Sequence, residues 1–434
     1  MQLTTSFTGS RGVRYPAPDV ARGFMLLFVA VANVPFWSRV PAESAGTFRA
    51  SAADAWWVFV RTLFVDHRAL PLFAMLFGFG LMIMINRRIA SGTRAYLQSL
   101  PGVGAGREPT AQEESWAREQ ATVDARRLVR RRGWWMLLFG FVHGIFFFGD
   151  IIGAYGLIAV IFAGWLSRKR YTALYTVGAI TTLVAVGFQL MMGSASSGGG
   201  DGPPAVTVLP WAISNMFFWA YGLLIQDFAT IILLCAVVGA RLADTGIIIH
   251  PERHRGLLVG AVVGGLALAV VGALHSALTN VMSIPAWPWD VATRELTGFA
   301  GACGWLALLA LYAGGPAPGG RLTGLRRIAS AVGRRSMTVY LSQTILFGTI
   351  FVIVPLLVTG ERLWLGQAAA ALVAVVVWLV IVVLCAVLER GGHAGPFETL
   401  LRTAVARSER KRPRPAPPST SQPADARPGA VPAG

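Results

Sequence analysis

Long apolar segments recur along this chain and decide what it can fold into. Several runs of about 20 apolar residues are each long enough to cross the hydrocarbon core of a bilayer as one α-helix. A segment in lipid must satisfy its backbone hydrogen bonds internally, which favours helices. Hydrophobic residues make up 54% of the sequence, whereas charged residues make up 14%. The sequence therefore predicts an all-α, polytopic membrane helical bundle rather than a soluble domain.

The hydropathy pattern predicts about ten transmembrane helices. We place them at 20–37, 69–86, 133–149, 151–166, 171–192, 218–240, 256–277, 294–314, 336–357 and 366–388. Residues 54–65 predict one interfacial or re-entrant helix on the outer side. Residues 211–240 are too long for a simple span and contain Asp227, which predicts a broken helix beside a cavity.

The distribution of arginine indicates the orientation of the bundle. With the N-terminus inside, the inner loops contain the clustered bases, and the outer loops contain scattered ones such as Arg39 and Arg362. Cytoplasmic loops of membrane proteins carry such an excess. The sequence therefore predicts that both termini are cytoplasmic. The net charge of +17 then reflects membrane topology and predicts no nucleic-acid partner.

Polar segments suggest the domain organisation. Residues 1–18 predict a cytoplasmic N-terminal segment, and residues 19–402 predict a membrane domain with a polar cytoplasmic loop over 91–125. Residues 403–434 are rich in Pro, Ala and Arg, which predicts a disordered cytoplasmic tail. No clear small-residue cleavage site follows the first apolar run, so a retained helix is favoured over a signal peptide.

A polar stripe lies within the first apolar segment. At about 100° per residue, Arg22 and Asn33 return to nearly the same helical face, and Asp19 falls close to it. A lipid-spanning helix carries such residues where a protein partner or a water-filled cavity meets them. The stripe therefore predicts that the first helix lines a cavity.

The third predicted span contains a second set of candidate residues. His143 and Asp150 are seven residues apart and share a helical face, which makes His143 a candidate buried base and Asp150 a pocket carboxylate. The alternative is a histidine hydrogen-bonded within the bundle and an aspartate that caps the next helix. Gly140 and Gly144 form a GxxxG pair, which predicts close helix contact.

Other polar residues have both a functional and a structural interpretation. His67 is a second candidate base near the outer surface, or a member of an interfacial polar cluster. Ser336, Tyr340 and Gln343 form one polar face of the ninth span, which lines a donor pocket or makes interhelical hydrogen bonds. The arginine clusters containing Arg131 and Arg335 have two interpretations: they are candidates for binding phosphates, or they are determinants of the membrane topology.

The sequence also lacks several catalytic signals. It contains no P-loop, dinucleotide-binding fingerprint, HExxH or paired CxxC motif. The three cysteines lie inside predicted helices without metal-ligand spacing. We therefore expect no metal site and no tightly bound cofactor.

Several of these segments together resemble the YeiB-like bacterial membrane proteins, a domain of unknown function (number 418). The resemblance covers about residues 14–402. The matching segments are DVARGFMLLFVAVAN (19–33), LPLFAMLFGFG (70–80), RRRGWWMLLFGFVHGIFFFGDIIGAYGL (130–157), GRRSMTVYLSQTILFGTIF (333–351) and GPFETLLR (395–402). The resemblance implies a multi-pass protein of the bacterial plasma membrane.

That family distantly resembles multi-spanning acyltransferases of the heparan-α-glucosaminide N-acetyltransferase type through the DxxRG opening of the first helix. The likeness implies a ten-helix acyltransferase-like bundle that takes an acyl group from cytoplasmic acyl-CoA, such as acetyl-CoA. Sugar-modifying members of the wider group carry a histidine near the outer end of the first helix, where this chain has Asn33. The glucosaminide group has a catalytic histidine shortly after that helix, whereas residues 36–53 contain none here.

Two functions follow as alternatives. In an O- or N-acyltransferase, Asp19 and Arg22 order the cytoplasmic mouth, His143 or His67 acts as base, and Asn33 orients the acceptor or polarises the thioester. The acceptor is then an envelope sugar, a lipid or a metabolite. In a transporter or flippase, the same residues form a substrate or proton path. Acyl-CoA binding predicts an arginine-ringed cytoplasmic pocket that reaches His143. A homo-oligomer is compatible with either function.

Overall fold

The computed structural model describes residues 15–38, 50–192, 208–228, 230–282, 284–315 and 322–409. These residues form α-helices joined by short turns and contain no β-strand. The helices are α1 Ala17–Asn33, α2 Ala52–Phe64, α3 Ala69–Gln98, α4 Ala111–Gly144, α5 Ile152–Ser167, α6 Tyr171–Met192, α7 Val208–Phe228, α8 Ile232–Thr245, α9 Arg255–Met282, α10 Asp290–Ala313, α11 Gly324–Gly333, α12 Ser336–Gly348, α13 Val354–Val358, α14 Gln367–Arg390 and α15 Pro396–Arg407. The all-α fold class is therefore confirmed.

Seven helical segments in the described part of the chain are long and apolar enough to cross a membrane. Two shorter apolar helices, Ile152–Ser167 and Ala212–Ile225, add to them. The seven segments are Ala17–Phe36, Ala52–Gln98, Tyr171–Phe188, Pro251–Met282, Asp290–Ala313, Ser336–Val358 and Gln367–Arg390. Ten complete crossings and the direction of insertion stay predictions.

The region that was expected to contain a broken helix does contain two helices. The proposed single span at 218–240 is wrong, because α7 ends at Phe228 and α8 begins at Ile232. The Thr230 side chain accepts a hydrogen bond from the Ile232 backbone N–H at 3.3 Å, which helps start α8. The side chain of Asp227 lies outside the described residues.

Residues 54–65 form most of a separate helix, as expected. Ser51 and Asp54 make a reciprocal capping box that starts α2. The helix ends before His67, whose backbone has the left-handed φ of 59° that breaks a right-handed helix. Helix α2 then packs against α9 and α14.

The prediction of a polar loop over residues 91–125 is wrong. Helix α3 continues to Gln98, and α4 begins at Ala111, so the two helices extend as an antiparallel hairpin. A capping box formed by Thr110 and Glu113 starts α4. The Tyr96 hydroxyl donates a 2.7 Å hydrogen bond to Asp124 across the hairpin. The helices therefore form although the segment has few apolar residues.

The boundary between the membrane domain and the tail also differs from the expectation. Residues 403–407 belong to α15, where Leu401 and Val405 are buried one turn apart. Residues 410–434 lie outside the described residues, as do residues 1–14 and the loop around 193–205.

Glycines allow the closest helix contacts in the bundle. A Cβ on Gly140 would overlap the backbone of Gly153, so α4 and α5 approach each other at this point. A Cβ on Gly144 would lie 2.5 Å from the Trp219 ring of α7. Both glycines of the GxxxG pair therefore carry close contacts, as the sequence predicted.

The bundle has two chemically distinct ends. At the arginine-rich end lie the start of α1 and the segments of α3, α4, α12 and α15 that carry Arg87, Arg132, Arg335 and Arg402. Helices α1 and α4 run from there to the aromatic end, where Trp37 stacks on Phe147 with a centroid distance of 5.6 Å. Phe36 and Phe148 extend this aromatic cluster.

Candidate functional site

A cavity of about 770 Å³ lies between the helices at the arginine-rich end. Six residues of α3 line it in a helical stripe, namely Phe73, Phe77, Gly80, Leu81, Met84 and Arg87. At 1.5 Å per residue this stripe extends for about 21 Å. Its apolar start is deep in the bundle and Arg87 is exposed, so the cavity opens at the arginine-rich end.

The mouth of the cavity is rich in guanidinium groups. Ion pairs hold some of them, because Arg22 lies 3.6 Å from Asp19, and Arg334 and Arg335 both contact Glu389. The six arginines that line the cavity are Arg22, Arg87, Arg132, Arg334, Arg335 and Arg402.

Three of these arginines have no acidic partner within the described ranges. They are Arg87, Arg132 and Arg402, which lie on three different helices. Asp19 pairs with Arg22, and Glu389 is shared by Arg334 and Arg335. With Glu398, three carboxylates line the cavity beside the six arginines, so positive charge is in excess among the described residues of the mouth. Guanidinium groups arranged around a cavity match the oxygens of phosphate groups.

Helix α15 closes one side of the mouth through a carboxylate. Glu398 accepts hydrogen bonds from the backbone N–H groups of Met337 and Thr338 at 2.8 and 3.1 Å. It also accepts a 2.5 Å hydrogen bond from the Thr338 hydroxyl. An anion at the first turn of a helix satisfies free N–H groups and the helix dipole. Glu398 therefore fixes α15 and its Arg402 against the start of α12.

Aromatic and aliphatic side chains form the deep end of the cavity. Tyr155 stacks on Phe77 with a centroid distance of 4.5 Å. Tyr340 is 3% exposed, and its hydroxyl donates a 3.3 Å hydrogen bond to the Gly149 carbonyl. The cavity therefore narrows from a charged mouth to an apolar end where Tyr340 lies.

A buried polar cluster lies directly behind Tyr340. The His143 ring is 5.2 Å from the Tyr340 ring, centroid to centroid, and does not itself line the cavity. Its Nδ1 lies 2.7 Å from Asp150 Oδ1, and its Nε2 lies 2.8 Å from Thr344 Oγ1. The His143 and Asp150 side chains are 4% and 0% exposed. The pair predicted from the sequence is therefore in direct contact, and both ring nitrogens are hydrogen-bonded.

Three more donors hold Asp150 in place. Its carboxylate accepts from the backbone N–H groups of Ile152 and Gly153 at 3.1 and 2.7 Å. The Trp219 indole donates at 3.3 Å. Asp150 thus caps α5, as the structural interpretation predicted, and also contacts His143. It does not line the cavity, and its functional role stays a prediction.

His67 belongs to a different cluster. Its Nδ1 lies 2.8 Å from Glu295 on α10, and the backbone N–H of Ile231 also faces Glu295. His67 is therefore next to the break between α7 and α8. It does not line the arginine-rich cavity.

Besides His143, Asp150 and His67, the sequence predicted further site residues, and five of these lie together in the wall of the cavity. Asp19, Arg22, Arg335, Ser336 and Tyr340 all line the cavity.

Three candidates lie elsewhere. Arg131 points away from the cavity and pairs with Glu409 at 3.2 Å. Gln343 is buried and donates a 2.9 Å hydrogen bond to the Leu26 carbonyl. Asn33 ends α1 toward the aromatic end, and its side chain makes no hydrogen bond to a described residue.

The sequence-based reasoning missed three residues that the geometry brings forward, and from the arginine cluster over 126–132 it chose Arg131, whereas Arg132 lines the cavity. Arg132 follows Arg131, and a rotation of about 100° decides which of them faces the cavity. Arg402 ends the GPFETLLR segment, and Thr344 follows Tyr340 by one helical turn, so both had a signal in the sequence. Trp219 contacts Asp150 only through tertiary packing and had none. Among the described residues, no three His, Cys, Asp or Glu side chains are grouped to hold a metal ion.

Comparisons with known proteins agree with the motifs. Residues 242–408 match the family described as "Protein of unknown function (DUF418)". The chain is 24% identical over 428 residues to the "Uncharacterized protein YeiB" of Escherichia coli (strain K12), which covers 90% of this chain and 96% of that protein. No solved structure matches the chain. The resemblance to the YeiB-like, DUF418 proteins that the motifs predicted is therefore confirmed.

Proposed function

We propose that this chain is an integral membrane acyltransferase. It takes an acyl group from acyl-CoA at the arginine-rich end and transfers it to a hydroxyl or amine acceptor. The observation that carries the proposal is a cavity with three arginines that pair with no carboxylate of the described residues, and whose deep end lies against a buried histidine–aspartate pair. Tyr340, which lines the cavity and contacts the His143 ring, separates the proposed donor site from the proposed base.

The charges at the mouth support an anionic, phosphate-bearing donor. Arg87, Arg132 and Arg402 have no carboxylate partner in the described parts of the chain, so an anion can bind them without breaking an ion pair. Arginine forks bind phosphate oxygens in pairs of charge-assisted hydrogen bonds. Cofactor sites typically enclose about 300–1,000 Å³, and the cavity volume of about 770 Å³ falls in this range.

The expected orientation agrees with this donor. Arginine clusters mark the cytoplasmic side of membrane proteins, and acyl-CoA is a cytoplasmic metabolite. The arginine-rich end then faces the cytoplasm of a bacterial cell. The aromatic end, with Asn33 and the Trp37–Phe147 stack, faces the acceptor.

The deep end supports acyl-transfer chemistry. Asp150 holds the Nδ1 side of His143, so its Nε2 is the atom that accepts a proton. A histidine oriented by a carboxylate is the arrangement that activates oxygen and nitrogen nucleophiles. Arg22, Arg335 and Ser336 also line the cavity, and in this proposal they bind the donor.

A transporter or flippase is the second candidate. The observation that favours it is the break between α7 and α8 beside the His67–Glu295 pair. Broken helices beside ionisable residues form substrate sites in many transporters. The same cavity would then be one half of a path across the bundle.

Release of free CoA tests the proposal. The purified protein, reconstituted in vesicles, is given acetyl-CoA with a panel of sugar, amine and lipid acceptors, and the thiol product is measured. We expect acceptor-dependent CoA release that His143→Ala abolishes and Arg131→Ala leaves intact. Uptake of a tested solute into the vesicles without CoA release for any acceptor would favour transport instead.

A further inference from the structure

The contacts of His143 assign a chemical role to Thr344. We propose that Thr344 is the nucleophile that first receives the acyl group, as an ester on its Oγ1, before the acceptor takes it. This inference rests on the proposed acyltransferase function and specifies its mechanism. Thr344 lies on α12, and its hydroxyl faces His143 on α4.

The hydrogen bonds around His143 fix which proton it can remove. Asp150 accepts hydrogen bonds from two backbone N–H groups and an indole, so its carboxylate oxygens also face His143 as acceptors. The proton of a neutral His143 therefore lies on Nδ1, toward Asp150, and Nε2 carries the lone pair. The group within 2.8 Å of Nε2 is the Thr344 hydroxyl. In this arrangement His143 acts on Thr344.

The resulting order of contacts is a nucleophile, a base and a carboxylate. Hydroxyl, imidazole and carboxylate at hydrogen-bond distances form the constellation that activates serine and threonine in covalent acyl transfer. A threonine that hydrogen-bonds a histidine between two helices is also a common packing contact. Thr344 does not itself line the cavity, but it lies one helical turn beyond Tyr340, which does. This position favours the first interpretation.

Thr344 lies between the cavity and the aromatic end. It follows Tyr340 by four residues, so the two side chains share one face of α12. Tyr340 forms the deep end of the cavity. On its other side, the His143 ring is 5.9 Å from Phe147, which belongs to the aromatic cluster. An acyl group on Thr344 is therefore midway between a donor at one end and an acceptor at the other.

The site is also buried. Thr344 is 7% exposed, and His143 is 5% exposed. Exclusion of water protects an ester intermediate from hydrolysis. The thioester reaches Thr344 when the Tyr340 side chain turns aside, which breaks the long 3.3 Å hydrogen bond to the Gly149 carbonyl.

The two half-reactions balance. The Thr344 oxygen attacks the thioester carbonyl while His143 Nε2 takes the hydroxyl proton; the C–S bond breaks, and the CoA sulfur leaves with the proton from His143. The acceptor oxygen or nitrogen then attacks the threonyl ester while His143 takes its proton. The ester C–O bond breaks, and Thr344 recovers a proton from His143. The sum is transfer of one acyl group from CoA to the acceptor.

Trapping of the intermediate tests the proposal. The purified full-length protein is mixed with radiolabelled acetyl-CoA without acceptor, quenched in acid and analysed by peptide mass spectrometry. We expect one acetyl group on Thr344. Thr344→Val keeps the side-chain shape and is expected to remove the label and lower acyl transfer roughly 100-fold or more, whereas Thr344→Ser retains both. Thr349→Val is the matched control, because the Thr349 hydroxyl bonds the Ile345 carbonyl of its own helical segment at 2.8 Å.

Three outcomes contradict the proposal, and they differ in whether the acyltransferase function itself is also overturned. Transfer by Thr344→Val at the wild-type rate overturns the role of Thr344 and leaves the acyltransferase intact. An acetyl group on another residue overturns the assignment in the same way. Failure of the wild-type protein to bind acetyl-CoA overturns the acyltransferase function itself. Acetyl-CoA affinity is measured for each variant, so loss of folding is separated from loss of the nucleophile.

Discussion

His143 on α4 and Thr344 on α12 meet at 2.8 Å between the deep end of the arginine-lined cavity and the aromatic end of the bundle. Asp150 holds the opposite ring nitrogen at 2.7 Å, so the imidazole bridges a carboxylate and a hydroxyl. This bridge is buried and connects three helices: α4, α5 and α12. It gives a physical basis for separating residues that react from residues that bind.

Removal of the base is expected to stop the reaction and preserve binding. His143→Ala should lower acyl transfer by roughly 10²–10⁴-fold, because no other proton acceptor faces Thr344 within the described helices. The acetyl-CoA dissociation constant should stay within about twofold, since His143 does not line the cavity. Both quantities are measured on the same preparation. His67→Ala is the control; normal turnover in His143→Ala together with loss in His67→Ala would move the base to the other cluster.

Adjacent arginines on α4 offer a matched test of the binding site. Arg132 lines the cavity, whereas Arg131 pairs with Glu409. A hydrogen bond to a charged group contributes about 1.5–3 kcal/mol, so Arg132→Ala should weaken acetyl-CoA binding by roughly 10–100-fold. Arg131→Ala should bind as the wild type does. Equal effects of both substitutions in a titration would show that general charge, and not the cavity, controls affinity.

The contact between α4 and α5 is expected to tolerate no side chain at Gly140. A Cβ there overlaps the Gly153 backbone and lies 2.5 Å from Asp150 Oδ2. Overpacking of this kind costs about 1–3 kcal/mol, so Gly140→Ala should lower the melting temperature in detergent. It should also displace Asp150 and reduce turnover. Gly260→Ala on α9 meets nothing within 4 Å and should leave both values unchanged or slightly raise stability. Equal melting temperatures for the two variants would contradict the close packing.

The hairpin of α3 and α4 gives a prediction about pH. A hydrogen bond from Arg107 lowers the pKa of Glu113 from 4.5 to about 2. A carboxyl group with a lowered folded pKa contributes stability that is present above its unfolded pKa and is lost as pH falls through the folded one. Amide exchange over residues 111–118, corrected for intrinsic rates, should therefore stay constant from about pH 8 to 5. In Glu113→Gln, the amides of residues 111–118 should exchange faster than in the wild type throughout this range. Equal exchange rates in the two proteins would contradict a stabilising role of Glu113 in the helix cap.

The local features of the fold could be predicted from the sequence. The polar stripe of Asp19, Arg22 and Asn33 predicted that α1 lines a cavity, and Asp19 and Arg22 line one whereas Asn33 does not. Of the predicted polar face of α12, Ser336 and Tyr340 line the cavity, whereas Gln343 makes an interhelical hydrogen bond. The glycine pair predicted close helix contact. Each of these depends on helical periodicity within one segment, which a sequence contains.

Features that depend on distant parts of the chain could not be predicted. Arg132 and Arg402 lie 270 residues apart in sequence and share the cavity because Glu398 fixes α15 to α12. Trp219 reaches Asp150 from a helix whose own sequence carries no sign of that contact. The α3–α4 hairpin was missed because its pattern is polar, and its stability comes from caps and from the Tyr96–Asp124 hydrogen bond.

Binding of acetyl-CoA is measured by isothermal calorimetry on the purified wild-type protein and on Arg22→Ala. Arg22 lines the cavity and donates a 2.8 Å hydrogen bond to the Leu76 carbonyl, so it joins the cavity wall to α3. The proposed acyltransferase function predicts saturable binding by the wild type and a dissociation constant at least tenfold higher in Arg22→Ala, with both proteins folded. Folded wild-type protein that binds no acetyl-CoA would contradict this function.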